Sequence, residues 1–192
     1  MIEKQKGTKT GRILKMEIDH REVSFPEGVS VLRAAELNNI YIPSLCSHKD
    51  LSPFGGCRMC VVEIEGIRGY PLACSTEAEE GMKVLTDTAT LRDMRKEILQ
   101  FILSEHPSSC LVCGEKEECR ESQFTIRKTG VSTGCLYCPK DLQCELQDLV
   151  EKVGLTEIAY PVYYRGYEAE HDDPFFDRDY NLCILCGRCV RM

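Results

Sequence analysis

No stretch of this 192-residue chain reaches the about 18 consecutive apolar residues that a membrane-spanning helix needs. No apolar segment follows the opening MIEKQKGTKTGR, so a secretory leader is not expected. Basic residues form no stripe and the formal net charge is -7. A nucleic-acid partner, whose phosphates must be met by clustered Lys and Arg, is therefore disfavoured. No G-x-G-x-x-G follows a strand pattern, which removes that dinucleotide fingerprint. No Ser-His-Asp or Cys-His set stands apart from the cysteine groups described below. By itself the chain is expected neither to accept a hydride nor to turn over a substrate.

What the chain has in excess is cysteine, with thirteen residues. They fall in four short-spaced groups: Cys46, Cys57, Cys60 and Cys74; Cys110, Cys113 and Cys119; Cys135, Cys138 and Cys144; Cys183, Cys186 and Cys189. Every group contains a C-x2-C element. A disulfide scaffold is usually short, with an even cysteine count and an entry signal, and none of these applies. Thiols that stay reduced place the chain in the cytoplasm. Thiolates packed this closely are what a soft, multi-iron centre needs, so the chain reads as a carrier of several iron–sulfur clusters that moves electrons. The alternative is a structural or regulatory module with zinc at the C-x2-C sites. An iron–sulfur sensor acting on DNA is disfavoured by the missing basic surface.

Local patterns predict an α+β fold. RILKMEI, DHR and EVSF read as two strands around a turn, and Pro26-Glu27-Gly28 as a second turn. SVLRAAELNNI reads as a helix capped by Ser30, with Leu32, Ala35 and Ile40 facing inward. CVVEIEG and MKVLT return to strand character. From Thr88 to Glu105 apolar residues recur at helical spacing through Leu91, Met94, Ile98 and Phe101 or Ile102, with Thr90 and Asp93 as a capping box. Three divisions follow: a small α+β domain over 12–87, a Cys-rich domain over 88–165, and an acidic linker with an incomplete cysteine motif over 166–192. Residues 1–11 are polar and expected to fray. Glu168–Asp179 is acidic, and Pro174 forbids a continuous helix; it reads as a linker or docking surface.

The first group has the form C-x10-C-x2-C-x13-C. Four thiolates are what a [2Fe–2S] rhombus requires, two for each iron. Gly55 and Gly56 let the backbone approach a cluster where a side chain would block it, and their N–H groups can point at the sulfurs. Arg58 and Met59 read as loop fillers. Zinc prefers shorter, paired spacings. The span Arg12–Ala89, with its GGCRMC segment and isolated Ala73-Cys74, resembles the [2Fe–2S] domain of a known family. That family comprises the NADH dehydrogenase G-type subunit of complex I and related NADH-linked iron hydrogenase and formate dehydrogenase subunits. The resemblance implies a β-grasp, ferredoxin-like domain with Cys46, Cys57, Cys60 and Cys74 as cluster ligands.

His106 opens the second group as H-x3-C-x2-C-x5-C, one imidazole with three thiolates. An imidazole can replace one thiolate of a [4Fe–4S] cube; alternatively His106 is a helix C-terminal residue favoured there by the dipole. The same family has a [4Fe–4S] site of one histidine and three cysteines, which implies His106, Cys110, Cys113 and Cys119 as ligands. The departure is Cys135, Cys138 and Cys144, which repeat the C-x2-C-x5-C triplet with Val131 in the place of His106. CPKDLQCELQDLVEKVGL resembles the family's segment around its last cysteine better than CRESQFTIRKTG does. Region 106–144 thus holds one or two [4Fe–4S] clusters, and two complete triplets favour two, the second drawing its fourth ligand from elsewhere. His171 is an imidazole within reach in sequence. Cys183, Cys186 and Cys189 form the opening C-x2-C-x2-C of a bacterial ferredoxin run. A further [4Fe–4S] cluster there stays open, because no fourth cysteine follows. Partners expected for such a wire are flavin- or metal-containing oxidoreductase subunits, with no nucleic acid and no direct membrane insertion.

Overall fold

The computed structural model describes residues 12–106, 111, 143–161, 163 and 165–192. Two compact units emerge. One runs to Arg92 and takes in Gly187–Met192; the other runs from Asp93 to Cys186.

In the first unit, β1 (Ile13–Ile18) and β2 (Arg21–Pro26) form an antiparallel hairpin. Their alternation sends Leu14, Met16 and Ile18 inward from β1, and Val23 and Phe25 from β2. The register places Leu14 opposite Phe25 and Met16 opposite Val23. The turn is tighter than DHR suggested. Arg21 already belongs to β2, and Asp19 and His20 both take positive φ, 48° and 64°. That pattern matches the right-handed twist of a hairpin, and Asp tolerates it by bonding locally. Here the Asp19 carboxylate accepts from the Thr86 N–H at 2.7 Å and from the Thr86 hydroxyl, which ties the turn to the end of β4 (Lys83–Leu85).

Helix α1 (Val31–Leu37) follows, and the Ser30 hydroxyl accepts from the Arg33 N–H at 3.2 Å as expected of a cap. Val31, Leu32, Ala34 and Ala35 are buried, and Ile40 lies beyond the helix, packed against the same core. The Asn38 side-chain amide donates to the Ser24 and Ala34 carbonyls, both at 2.9 Å, fixing α1 against β2. The strand expected in CVVEIEG shortens to β3 (Glu63–Ile64), and MKVLT yields β4. The sheet order is β2-β1-β4-β3; β1 and β4 run parallel, and β3 and β4 antiparallel. This is a small mixed sheet with one helix and a core that includes Met16, Phe25, Val31, Val62, Val84, Cys60 and Cys74.

Helix α2 (Ala89–Ser104) differs from expectation at its start and on its face. The residue that caps it is Thr88: its hydroxyl accepts from the Leu91 N–H at 3.2 Å and donates to Glu63 at 2.8 Å. Thr90 is already inside the helix. The buried stripe is Leu91, Arg95, Leu99 and Leu103, while Met94 and Ile98 are half-buried and Phe101 is 58% exposed. Phe101 instead stacks on Tyr160, ring centroids 4.6 Å apart. The apolar period is helical, as expected, but the buried face is rotated by one step.

In the second unit, Ala159, Tyr160 and Tyr163 lie beside α2. The Ala159 N–H donates to Gln100 at 2.8 Å, Tyr160 to Glu97 at 2.6 Å, and the Tyr163 N–H to the Ser104 carbonyl at 2.6 Å. Helix α3 (Glu145–Val153) starts at Cys144 and stops at Gly154, whose φ of 69° supplies the left-handed turn that ends it. Leu146, Leu149 and Val150 are its buried face. The acidic stretch closes on itself: Glu170 and Arg178 exchange backbone hydrogen bonds of 2.8 and 2.9 Å. The buried Asn181 spans its base, donating to the Tyr167 carbonyl and accepting from the Tyr167 N–H. Among the described residues no helix is long and apolar enough to cross a membrane.

Candidate iron–sulfur site

Cys46 and Cys57 lie on the loop after α1, while Cys60 and Cys74 border its far side. Chain pairing brings Cys60 and Cys74 together across their separation. Ala73 N–H donates to the Cys60 carbonyl at 2.9 Å, Val62 N–H to the Pro71 carbonyl at 3.0 Å, and Val61 bridges Leu72. Cys74 then sits in a turn held by the Ser75 and Thr76 N–H groups on the Leu72 carbonyl, 3.1 and 3.0 Å. The start of α1 docks on that turn: Val31 N–H meets the Thr76 carbonyl and Leu32 N–H the Ala73 carbonyl. The fold thus supplies an anchored cysteine on a turn and an anchored cysteine on a strand-like edge.

The four thiols stand as two pairs. Cys46 neighbours Cys57, and Cys60 hydrogen-bonds Cys74. Cys46, Cys60 and Cys74 are buried and Cys57 is half-buried. Burial pushes the Cys46 thiol up, while a hydrogen bond from the Cys57 backbone works against it. The Cys60 thiol is held up by its hydrogen bond to Cys74 and by burial, and the same bond pulls Cys74 down to about 6. The buried thiols of Cys46 and Cys60 therefore resist becoming thiolates on their own. Cationic iron would remove that obstacle, and the two pairs would offer two thiolates to each of two irons.

Backbone donors complete the fit. The Leu45 N–H donates to Cys57 Sγ at 3.4 Å, the Gly56 N–H to the Cys46 sulfur, and the Gly55 N–H to the Cys74 sulfur. Such N–H groups offset negative charge on cluster sulfurs. The two glycines serve different needs. Gly55 is buried with φ of 67°, and a Cβ there would come within 3.0 Å of Leu72. At Gly56 a Cβ would run into the Phe54 ring at 2.2 Å. Met59, read as a filler, is fully buried, whereas Arg58 is exposed with φ of 59°.

Of the other candidate ligands, His106 lies just past α2, 9% exposed, with its N–H donating to the Leu103 carbonyl at 3.2 Å. Cys110, Cys113, Cys119, Cys135 and Cys138 lie outside the described residues. Cys144 is half-buried at the start of α3 and makes no side-chain capping bond. Cys183 and Cys186 are half-buried, and Cys189 is exposed. His171 is exposed and pairs with Asp177 at 2.8 Å. Sequence reasoning passed over Arg191 as part of this site. Its guanidinium donates to the carbonyls of Ser52 and Cys46. No local sequence signal could find it, because 145 residues separate Arg191 from Cys46.

Comparison with known proteins finds iron–sulfur regions in the chain. The family described as "2Fe-2S iron-sulfur cluster binding domain" matches residues 11–89. The "NADH-ubiquinone oxidoreductase-G iron-sulfur binding region" matches residues 95–120. The chain carries both of these iron–sulfur regions, and its relatives include subunits of complex I and of related oxidoreductases. Among those relatives, a G-type subunit of the NADH-quinone oxidoreductase of Rhizobium meliloti (strain 1021) is 34% identical over 182 residues. That alignment covers 94% of this chain and 18% of the relative. The alpha subunit of the NADPH-Fe(3+) oxidoreductase of Geobacter sulfurreducens is 31% identical over 180 residues, again 94% of this chain and 18% of the relative. A solved structure of an NAD+-reducing [NiFe]-hydrogenase superposes with a TM-score of 0.74 at 29% identity, covering 93% of this chain and 64% of that one. The chain spans less than a fifth of the length of the two curated relatives. The small mixed sheet is consistent with a ferredoxin-like [2Fe–2S] domain. Both matched regions bind iron–sulfur clusters, in agreement with the electron-transfer reading drawn from the cysteines.

Proposed function

We propose that this protein passes single electrons between iron–sulfur clusters inside a multi-subunit oxidoreductase linked to a nicotinamide cofactor, formate or hydrogen. The observation that carries this reading is the pairing of Cys46 with Cys57 and of Cys60 with Cys74 under backbone N–H groups. Bound clusters supply one-electron chemistry; the protein supplies ligands, spacing and potential. In the β-grasp domain over 12–87, Cys46, Cys57, Cys60 and Cys74 hold one [2Fe–2S] cluster. In the domain over 88–165, His106, Cys110, Cys113 and Cys119 hold a [4Fe–4S] cluster, and Cys135, Cys138 and Cys144 contribute to a second. Cys183, Cys186 and Cys189 in region 166–192 are the candidate ligands for a further [4Fe–4S] cluster, which stays open for want of a fourth ligand. The relatives' names support an oxidoreductase setting, and the partners are flavin- or metal-containing subunits in the cytoplasm.

Visible absorption and paramagnetic resonance of anaerobically purified protein test the reading. A brown protein with a [2Fe–2S] signal on reduction, lost in Cys57→Ser, is expected. A colourless protein with stoichiometric zinc would sink it and favour the structural zinc module.

A further inference from the structure

Gly187–Met192 belongs to the same compact unit as the cysteine loop. Within that segment Arg191 addresses the loop at several points. Nη1 donates to the Ser52 carbonyl and Nη2 to the Cys46 carbonyl. Nε donates to the Gly187 carbonyl at 3.0 Å, which holds the guanidinium against its own turn. Its Cζ lies 5.0 Å from the centre of the Phe54 ring. Glycines line that ring: a Cβ at Gly187 would come within 3.3 Å of it, and one at Gly56 within 2.2 Å. The ring therefore packs close to backbone, with a cation over its face.

The chemistry follows from what guanidinium is. It is planar, always charged, and presents donors in a fixed fork, so one group can serve two carbonyls and a ring together. The carbonyl at Nη2 belongs to a buried cysteine. Fixing that carbonyl fixes the backbone from which the Cys46 sulfur projects. A cation held there, half-shielded from water, also favours added negative charge nearby, and an incoming electron is such a charge. We propose that Arg191 is a positioning residue for Cys46, and that its charge raises the potential of the [2Fe–2S] centre. This rests on Cys46, Cys57, Cys60 and Cys74 being that centre's ligands.

A redox titration followed by paramagnetic resonance tests it on the protein as isolated, with Arg191→Gln and Arg191→Lys beside it. In Arg191→Gln, with spectrum and iron content unchanged, the equilibrium should move about tenfold toward the oxidised form, a fall of about 59 mV for one electron. Arg191→Lys should recover at least half of that shift, because it keeps the charge. An unchanged potential in Arg191→Gln overturns the proposal, as does an equal fall in both variants. If Arg191→Gln takes up no cluster, Arg191→Lys decides: a potential nearer the parent than that tenfold shift supports the proposal, and a lower potential or no cluster overturns it. A parent protein without any [2Fe–2S] signal would instead defeat the ligand assignment itself.

Discussion

At Gly55 the left-handed backbone, the nearby Leu72 side chain and the N–H aimed at Cys74 coincide. Gly55→Ala should cost about 1–2 kcal/mol from the left-handed conformation alone. Denaturant unfolding of the cluster-free protein would measure it, and an unchanged midpoint would contradict the geometry. His106 makes a second residue-scale case. Imidazole gives an iron less negative charge than thiolate does, so His106→Cys should lower the potential of one [4Fe–4S] centre and leave the [2Fe–2S] signal in place. A redox titration showing no centre altered would remove His106 from the ligand set. The cysteine spacings were legible in the sequence, and closely spaced thiolates suit a soft metal. The partner of each thiol was not. Cys74 meets Cys60 because residues 60–62 pair with 71–73, a contact whose information lies in the fold.

Among elements, the β1–β2 hairpin and α1 were readable because their burial is one-sided: strand alternation and a Ser cap repeat what the core needs. Phe25 is the largest fully buried side chain of β2, opposite Leu14. Phe25→Ala should destabilise the first unit by about 3–5 kcal/mol, read by calorimetry or denaturant. Helix α2 was legible as a helix but not in phase, since Thr88 outcompetes Thr90 by bonding both the Leu91 N–H and Glu63. Thr88→Ala should therefore cost about 1 kcal/mol, while Thr90→Ala should change stability little. Equal losses in the two variants would argue against Thr88 as the cap. Phe101 escaped the stripe for a different reason: Tyr160, far along the chain, offers its ring a stacking partner. Such long-range compensation leaves no local trace.

For the whole molecule, the number of irons separates the cluster schemes most directly. A [2Fe–2S] centre with two cubes gives about ten irons per chain, and about fourteen if the terminal triplet is also filled. Analysis of iron and acid-labile sulfide in homogeneous, fully loaded protein should return one of those values. About six irons would mean that the two triplets serve one cube. Cys60 and Cys74 are counted among the packed core of the first unit, beside Met16, Phe25 and Val31. Whatever occupies the site therefore also completes that core. Because a group that binds the native chain alone draws the folding equilibrium toward it, a chain that has received iron and sulfide outlasts one that has not. Cellular proteases sample the unfolded fraction, so they grade each copy by its inorganic content. Quality control of the polypeptide and quality control of its cargo then become a single inspection, carried out where two thiols meet a hydrophobic interior.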